Sequence, residues 1–216
     1  MKKSKIFILV IMLLSIVATG ISFAFLSDTI PTHIGIDGRP DQYGSKYFLL
    51  IFDAIILIIG TIMIIVSKYS KSENYKKYLS IVGAFIEGVF FILLVTFIVY
   101  ALSYKDNETP FDVSKIIMIV FGLLFILMGN IMPKIKRNKT LGFKCKWSLY
   151  NDVTWQKTHR FVGYLGVMIG MLSLLSGLFF KEMINFIILI ILVATLMIST
   201  LIASHKYYKE EKSKEI

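Results

Sequence analysis

Residues 161–203 read FVGYLGVMIGMLSLLSGLFFKEMINFIILIILVATLMISTLIA, an apolar run in which Lys181 and Glu182 are the only charged residues. As one helix this run would be about 65 Å long at ~1.5 Å per residue, roughly twice the ~30 Å hydrocarbon thickness of a bilayer. The chain must therefore turn back near Lys181 and Glu182. The run predicts two membrane-spanning helices joined by a tight turn.

Four further apolar stretches precede this run. Together with its two halves, the stretches cover residues 6–25, 47–66, 80–102, 116–132, 161–180 and 183–203. Each has about the ~17–25 residues that a helix needs to cross a bilayer, and the continuous apolar runs lack the alternation of a barrel strand. The sequence predicts an all-α integral membrane protein with six transmembrane helices.

The composition agrees with this class. Hydrophobic residues make up 56% of the 216 residues and charged residues 18%, against about 25% charged in an average soluble domain. The mean hydropathy is +0.73. These values exclude a soluble enzyme and a disordered chain, and the single cysteine, Cys145, excludes an internal disulfide.

The formal net charge of +10 has two interpretations. In a soluble protein it would favour nucleic-acid binding. Here 19 of the 24 basic residues fall in alternate segments that include both termini, and 5 fall in the other segments. This asymmetry predicts cytoplasmic termini and no direct nucleic-acid partner. The first stretch is longer than a ~7–15-residue signal-peptide core, so we expect it to remain as a helix.

Two acidic side chains, Asp53 and Glu87, fall within the predicted spans. Asp53 would lie about 10 Å below one membrane surface and Glu87 about 10 Å below the opposite surface. The two carboxyl groups would therefore not face each other, which argues against an intramembrane protease that uses paired carboxylates. Intramembrane acids often mark proton or substrate pathways, so a small proton- or solute-coupled transporter or channel is an alternative function. The structural alternative is a carboxyl group that snorkels or is capped by a neighbouring helix.

The first outer loop, residues 26–46, carries the turn dipeptide Asp37-Gly38 after alternating apolar residues, which predicts a short hairpin. His33, Asp37 and Asp41 are metal ligands by type. Three such residues in a loop of unknown shape favour a structural role over a metal site.

The inner loop, residues 133–160, is the richest in functional residue types. Asn151 is expected to cap a helix whose first turn contains Asp152, and Asp152, Trp155 and His159 share one helical face. One interpretation makes His159 a general base oriented by Asp152. The other makes Trp155 an interfacial anchor, with His159 bonded to loop backbone. The basic and aromatic residues of the loop suit anionic lipid or a cytosolic protein partner better than RNA.

The candidate signature residues in and just before this loop are Asn130, Pro133, Asn138, Gly142, Lys144, Trp147, Trp155, Thr158, His159 and Arg160. Their motifs resemble those of the SdpI family of membrane immunity proteins. The outer loop resembles an N-terminal module that often precedes this signature, and its candidates are Pro31, His33, Gly38, Asp41, Gly44 and Lys46. The resemblance implies an N-terminal two-helix module, residues 1–79, followed by a four-helix SdpI-like region, residues 80–216.

The resemblance also implies a function. It indicates a multi-pass protein of the bacterial cytoplasmic membrane, without catalytic activity or a cofactor, that protects the cell against a secreted, membrane-active toxin peptide. It further implies a toxin-sensing protein that recruits a cytosolic winged-helix repressor. Family members usually carry arginine where this chain has Lys144, and lysine does not reproduce a bidentate arginine contact.

Overall fold

The computed structural model describes residues 2–69, 72–104, 109–138 and 141–214, with side chains from residue 4 onward. The described residues contain six long helices: α1 (Lys2–Ser22), α2 (Leu49–Tyr69), α3 (Glu73–Ser103), α4 (Val113–Ile131), α5 (Asp152–Phe179) and α6 (Glu182–Lys212). All six are long and apolar enough to cross a membrane. The six-helix prediction is confirmed. Lys71, Lys105 and Lys139, which contributed to the charge asymmetry, lie outside the described residues, and the orientation stays a prediction.

Most of each span's surface is available to lipid. At most 39% of the most apolar window of any of the six spans is buried within the protein. Large apolar side chains such as Phe25, Phe179 and Ile202 are mostly exposed. In water such a surface would cause association, whereas lipid tails cover it without cost.

The turn between α5 and α6 is as tight as predicted. Helix α5 ends at Phe179 and α6 begins at Glu182, whose φ of 46° is left-handed. Within the turn region, the side chain of Asn185 accepts a hydrogen bond from the Ser176 hydroxyl (2.7 Å) and donates one to the carbonyl oxygen of Phe180 (3.0 Å). These bonds satisfy polar backbone and side-chain groups for which lipid tails offer no hydrogen-bond partner.

The start of α5 also follows from its sequence. The Asn151 side chain accepts the backbone N–H of Thr154 (2.8 Å), and the Thr154 hydroxyl accepts the backbone N–H of Asn151 (3.1 Å). This reciprocal capping box satisfies two donors that a helix start leaves unpaired. At the other end of the loop, Pro133 lies in a 3-10 turn, Met132–Lys134, that directly follows α4.

The chain forms two compact units. The first comprises Met1–Ile117 with Lys181–Ile184, and the second comprises Met118–Phe180 with Asn185–Ile216. Helix α3 therefore packs within the first unit, with α1 and α2. The predicted module boundary at residue 79 stays a prediction.

Each unit has its own packing pattern. The core of the first unit includes Ile11, Ile56 and Leu94, one from each of its three full helices. In the second unit α4 and α5 approach through glycines: a Cβ on Gly129 would lie 2.7 Å from the carbonyl oxygen of Gly163. Small residues allow this close approach, which is how membrane helices gain van der Waals contact.

A two-stranded antiparallel hairpin is the described chain's only sheet. Strand β1 (Thr29–Ile34) pairs with β2 (Pro40–Ser45), with Ile30 opposite Gly44. The turn between them contains Gly38 at φ 77°, a backbone conformation that glycine adopts at little cost. The hairpin predicted from Asp37-Gly38 is present.

Candidate functional site

The outer hairpin is fastened to α3 by tyrosines. The hydroxyl of Tyr100, a fully buried residue, donates to the carbonyl oxygen of Gly38 at the hairpin turn (3.0 Å). The Tyr43 hydroxyl lies 3.2 Å from that of Tyr104. Sequence analysis missed these tyrosines, although aromatic residues near the outer end of a predicted span are a general signal for an interfacial role.

His33, Asp37 and Asp41, the hairpin residues that are metal ligands by type, make other contacts. Nδ1 of His33 lies 2.6 Å from Oδ1 of Asp41 on the facing strand, and Asp37 accepts the backbone N–H of Arg39 (3.2 Å). In the described parts of the chain no group of three or more His, Cys, Asp or Glu side chains is placed to hold a metal ion. The contacts of these residues are within the hairpin, which agrees with a structural role for them.

The remaining outer-loop candidates have structural positions. Pro31 is buried in β1, and a Cβ on Gly44 would lie 2.9 Å from Cγ2 of Thr32. Lys46 pairs with Asp28 (3.0 Å) and also reaches the carbonyl oxygen of Phe23 (3.5 Å). These contacts hold the base of the hairpin to the end of α1.

A cavity of about 260 Å³ lies beneath the hairpin, within the first unit. His33 and Ile34 line it from β1, and Phe52, Phe97 and Tyr100 line it from α2 and α3. Its walls are almost entirely apolar, with aromatic rings on the helix side. Such a cavity suits an apolar side chain or an acyl chain.

The two intramembrane acids are buried in the first unit. Glu87 is fully buried, and neither of its carboxylate oxygens has a hydrogen-bond partner among the described residues. A Cβ on Gly60 would lie 3.1 Å from Oε1 of Glu87, so Glu87 packs against α2. Asp53 lies seven residues before Gly60 on α2, about 10 Å closer to the start of that helix. The acids therefore lie at different depths, as expected, and Glu87 does not snorkel.

In the second unit, His159 holds the inner loop. The backbone N–H of Phe143 donates to Nε2 of His159 (3.1 Å), and Nδ1 lies 2.9 Å from the carbonyl oxygen of Trp155. These contacts assign a neutral imidazole that donates through Nδ1 and accepts through Nε2. The imidazole also stacks on Trp155, with ring centroids 3.9 Å apart. Both nitrogens are occupied by backbone groups.

The general-base interpretation expected Asp152 to orient His159, and this pairing is not found because Asp152 bonds another residue. Oδ1 of Asp152 accepts a hydrogen bond from Nε of Arg137 (2.6 Å) and is largely exposed. Nη1 of the same arginine donates to the carbonyl oxygen of Leu149 (3.0 Å). Asp152 thus secures the loop through Arg137, a residue that sequence analysis did not select.

Trp155 is buried within the protein. Only 2% of it is exposed, and Nε1 donates to the carbonyl oxygen of Ile135 (2.8 Å). Gly142 has a φ of 114°, and a Cβ there would collide with Nε2 of His159. Gly142, Trp155 and His159 therefore form one interlocked contact. The bond from His159 to loop backbone is as the structural interpretation expected, and Trp155 holds the loop through contacts within the protein.

The other inner-loop candidates divide into structural and exposed residues. Asn138 accepts the backbone N–H of Leu141 (2.7 Å), and Pro133 packs on α5 at Gly163. Thr158 is fully buried, and among the described residues its hydroxyl oxygen has no hydrogen-bond partner. The exposed candidates are Asn130, whose amide bonds within its own helix, together with Lys144 and Arg160.

The inner loop and the first turns of α5 also contact α6, and sequence analysis missed these contacts. The Trp147 ring lies 4.6 Å from that of His205, between centroids. Nζ of Lys157 lies 3.0 Å from Oε1 of Glu211. Sγ of Cys145 lies 3.3 Å from the Ser204 hydroxyl. Burial raises the pKa of the Cys145 thiol, but hydrogen bonds with Ser204 and Ser148 outweigh burial, so the pKa lies below its ordinary value.

Comparison with known proteins agrees with these features. The sequence model of the SdpI/YfhL protein family matches residues 134–204, and a domain of unknown function, DUF1648, matches residues 10–59. The chain is 24% identical to the immunity protein SdpI of Bacillus subtilis (strain 168) over 208 residues, which are 96% of this chain and 97% of that protein. No solved structure matches the chain.

A shorter match is to an uncharacterized protein of Archaeoglobus fulgidus, 32% identical over 63 residues, which are 28% of this chain and 34% of that protein. The six apolar helices and the full-length match define a multi-pass protein of the bacterial plasma membrane. Within that class, the chain is similar to the SdpI family over residues 134–204 and along the Bacillus subtilis immunity protein SdpI, and it matches DUF1648 near its N-terminal end. The resemblance found in the sequence is confirmed.

Proposed function

We propose that this chain is an immunity protein that protects its cell against a secreted, membrane-active toxin peptide. The observation that carries the proposal is the match to the Bacillus subtilis immunity protein SdpI, which covers 97% of that protein. A match of this extent includes both the loops and the spans. It therefore supports a shared overall role rather than one shared domain.

The outer hairpin and the cavity beneath it are the proposed contact with the toxin. The hairpin is fixed in place by the Tyr100–Gly38 hydrogen bond. The cavity presents Phe52 and Phe97 next to the hairpin residue Ile34. A membrane-active peptide carries apolar side chains that would fit an aromatic cavity. Because the cavity is preformed, binding does not require the free-energy cost of ordering a loop.

The inner loop, residues 133–160, is the proposed contact with the cytosol. His159, Trp155 and Arg137 hold it in one conformation. Around this fixed core, Lys144 and Arg160 are exposed. We propose that the loop recruits a cytosolic winged-helix repressor when the toxin is present, which would make the protein a sensor as well as a protector.

We propose that the protein acts without catalysis. His159, its best candidate base, has both ring nitrogens bonded to backbone groups. Such a histidine cannot accept a proton from a substrate without breaking a contact of the loop. The proposed role therefore depends on binding alone.

The test of immunity is expression of the chain in a bacterial strain that a membrane-active peptide kills. Survival should rise over a range of peptide concentrations relative to cells that carry the empty vector. Membrane levels of the protein, measured by immunoblot, must be matched between strains. Unchanged killing by every related peptide would contradict the proposal.

Sensing needs a separate measurement. A fluorescently tagged winged-helix repressor encoded beside this gene should move from the cytosol to the membrane when the toxin is added. The double variant Lys144→Gln/Arg160→Gln should abolish this movement and leave survival unchanged. A repressor that stays cytosolic with the unaltered chain would contradict sensing without contradicting immunity.

A further inference from the structure

The cavity beneath the outer hairpin, which we call the hairpin cavity, has the size of two fused rings. Its volume is about 260 Å³. In other proteins a cavity of roughly 150 Å³ with aliphatic and aromatic walls binds one benzene ring. An indole, whose two rings share an edge, is about half as large again as benzene. The hairpin cavity therefore accommodates one indole, whereas a benzene ring would leave part of it unfilled.

The shape of the hairpin cavity suits a compact ring better than a lipid chain. On α3 the lining runs from Leu93 to Tyr100, a rise of about 10 Å at ~1.5 Å per residue. An acyl chain spans about half of the ~30 Å hydrocarbon thickness, which exceeds this length. Strand β1 adds Ile34 to the lining, α2 adds Phe52 and α4 adds Val113. Residues of four separate elements thus line a compact space.

Two phenylalanine rings supply an aromatic wall. Phe52 and Phe97 line the hairpin cavity, and their ring centroids are 5.6 Å apart. Phe48 contacts both rings, at 6.0 Å from Phe52 and 5.8 Å from Phe97 between centroids. Neither Phe52 nor Phe97 is fully buried, so each retains surface that a ligand can contact. Because aromatic rings in contact gain free energy beyond that of the buried area, this wall favours a further aromatic ring as occupant.

The few polar groups of the lining fit a ring with one N–H. Thr96 is a lining residue, and a hydroxyl oxygen can accept the N–H of an indole. His33 lines the cavity although 58% of its side chain is exposed, which places the opening beside it. Nδ1 of His33 lies 2.6 Å from Oδ1 of Asp41, so the imidazole is held at this opening. A mostly apolar cavity with a few polar groups is the usual form of a specific small-ligand site.

We propose that the hairpin cavity binds one indole ring, presented as a tryptophan side chain of the toxin peptide. The ring lies against Phe52 and Phe97, and its N–H points to Thr96. The indole itself is assigned by the size and the lining of the cavity. Only its carrier rests on the proposed function, which makes this cavity a contact with the toxin.

The test uses the full chain in lipid nanodiscs and a fluorinated N-acetyltryptophanamide, whose binding is followed by fluorine NMR. Empty nanodiscs measure the nonsaturable partition of this probe into lipid. Unlabelled N-acetyltryptophanamide should displace the probe at a concentration at least tenfold below that of N-acetylleucinamide, since each further carbon atom buried from water contributes about fourfold. A matched amide with a linear hexyl side chain should displace it less well, because that chain lacks ring contacts. Equal or stronger displacement by the leucine or hexyl amide would overturn the proposal.

Substitutions in the aromatic wall locate the bound ring. Phe97→Leu should weaken binding of the tryptophan amide about 3- to 10-fold and leave that of the leucine amide unchanged. The matched control is Phe7→Leu, because Phe7 is 46% exposed on α1 of the same unit and does not line the cavity. If Phe97→Leu lowers the thermal midpoint, Phe52→Leu should show the same selective loss. Equal effects of the wall and control substitutions would overturn the proposal.

Immunity and indole binding can fail separately. Indole binding by a chain that protects against no toxin would contradict immunity and the toxin as carrier of the ring, and would leave the indole site in place. A toxin peptide that this chain neutralises although it lacks tryptophan would overturn the proposed carrier and leave immunity in place. A neutralised toxin should displace the fluorinated probe, and the same peptide with leucine in place of its tryptophan should not.

Discussion

The backbone N–H of Phe143 donates to Nε2 of His159 at 3.1 Å, which joins the middle of the inner loop to the second turn of α5. The same imidazole stacks on Trp155 and bonds the carbonyl oxygen of that residue through Nδ1. A side chain of the type that most often serves as a catalytic base is here a structural support. Its environment leaves no space for a larger residue at Gly142.

Gly142→Ala should therefore destabilise the protein. The substitution places a Cβ in contact with His159 at a φ of 114°, and we expect a loss of about 2–4 kcal/mol in the free energy of unfolding. Urea unfolding in detergent micelles, followed by tryptophan fluorescence, measures it. The matched control is Gly20→Ala in α1, where a Cβ meets no atom within 4 Å. An equal effect of the two substitutions would contradict this account.

Arg137→Lys should weaken the loop although it keeps the charge. A lysine cannot bond the Asp152 carboxylate and the Leu149 carbonyl oxygen together with the same geometry. Because Asp152 is largely exposed, we expect a loss of only about 1 kcal/mol. Limited proteolysis of the loop in inverted vesicles, with Lys144→Arg as the control, should show faster cleavage only in the Arg137 variant. Slower or unchanged cleavage would argue against this role of Arg137.

Glu87→Gln should leave immunity intact and raise or preserve stability. The buried carboxyl group has no described partner, and a neutral amide of the same shape costs less to bury than an ionised carboxylate. The same variant tests the transport alternative, which predicts a proton or solute flux in proteoliposomes that Glu87→Gln abolishes. Asp53→Asn is the parallel variant. A flux lost in Glu87→Gln, together with lost protection, would favour transport over immunity.

Ile34→Trp should reduce protection if the cavity beneath the hairpin contacts the toxin. Ile34 lines this cavity, so a larger side chain fills part of its ~260 Å³. The control is Ile36→Trp, because Ile36 is 53% exposed near the turn and does not line the cavity. We expect the killing concentration to fall at least tenfold for Ile34→Trp and to stay unchanged for the control. Equal protection by both would show that the toxin is met elsewhere.

Cys145 offers a test of pH dependence. Hydrogen bonds with Ser204 and Ser148 hold the pKa of its thiol below the ordinary value, and the thiolate is the reactive form. The rate of maleimide labelling should therefore rise with pH and reach its plateau at a lower pH than the labelling rate of an ordinary thiol does. Ser204→Ala removes one of these bonds and should move the rise to higher pH. A profile that Ser204→Ala leaves unchanged would contradict the assignment.

The same cysteine tests the predicted orientation. A membrane-impermeant maleimide should label Cys145 in inverted vesicles and not in intact cells, because the inner loop is predicted to face the cytosol. The variant Cys145→Ala/Gln42→Cys, with its cysteine at an exposed hairpin position, should show the opposite pattern. Labelling of Cys145 in intact cells would reverse the orientation.

The sequence by itself determined the six helices, although α3 begins seven residues before its predicted span and α6 continues nine residues past its own. Hydropathy is a sum over neighbouring residues, so six spans and the turn at Lys181 and Glu182 could be predicted without tertiary information. The cap at Asn151 and the turn at Asp37-Gly38 are equally local, because they depend on side chains within three residues. The family resemblance likewise depended on motifs read along the chain.

Only the tertiary structure decided which side chains meet. Helical spacing placed Asp152, Trp155 and His159 on one face, yet Asp152 is bonded to Arg137, fifteen residues away. Periodicity specifies a direction around one helix and says nothing of what a loop brings to that face. The pairing of Tyr100 with Gly38, 62 residues apart, and the burial of Glu87 beside Gly60 are likewise products of packing between separate segments.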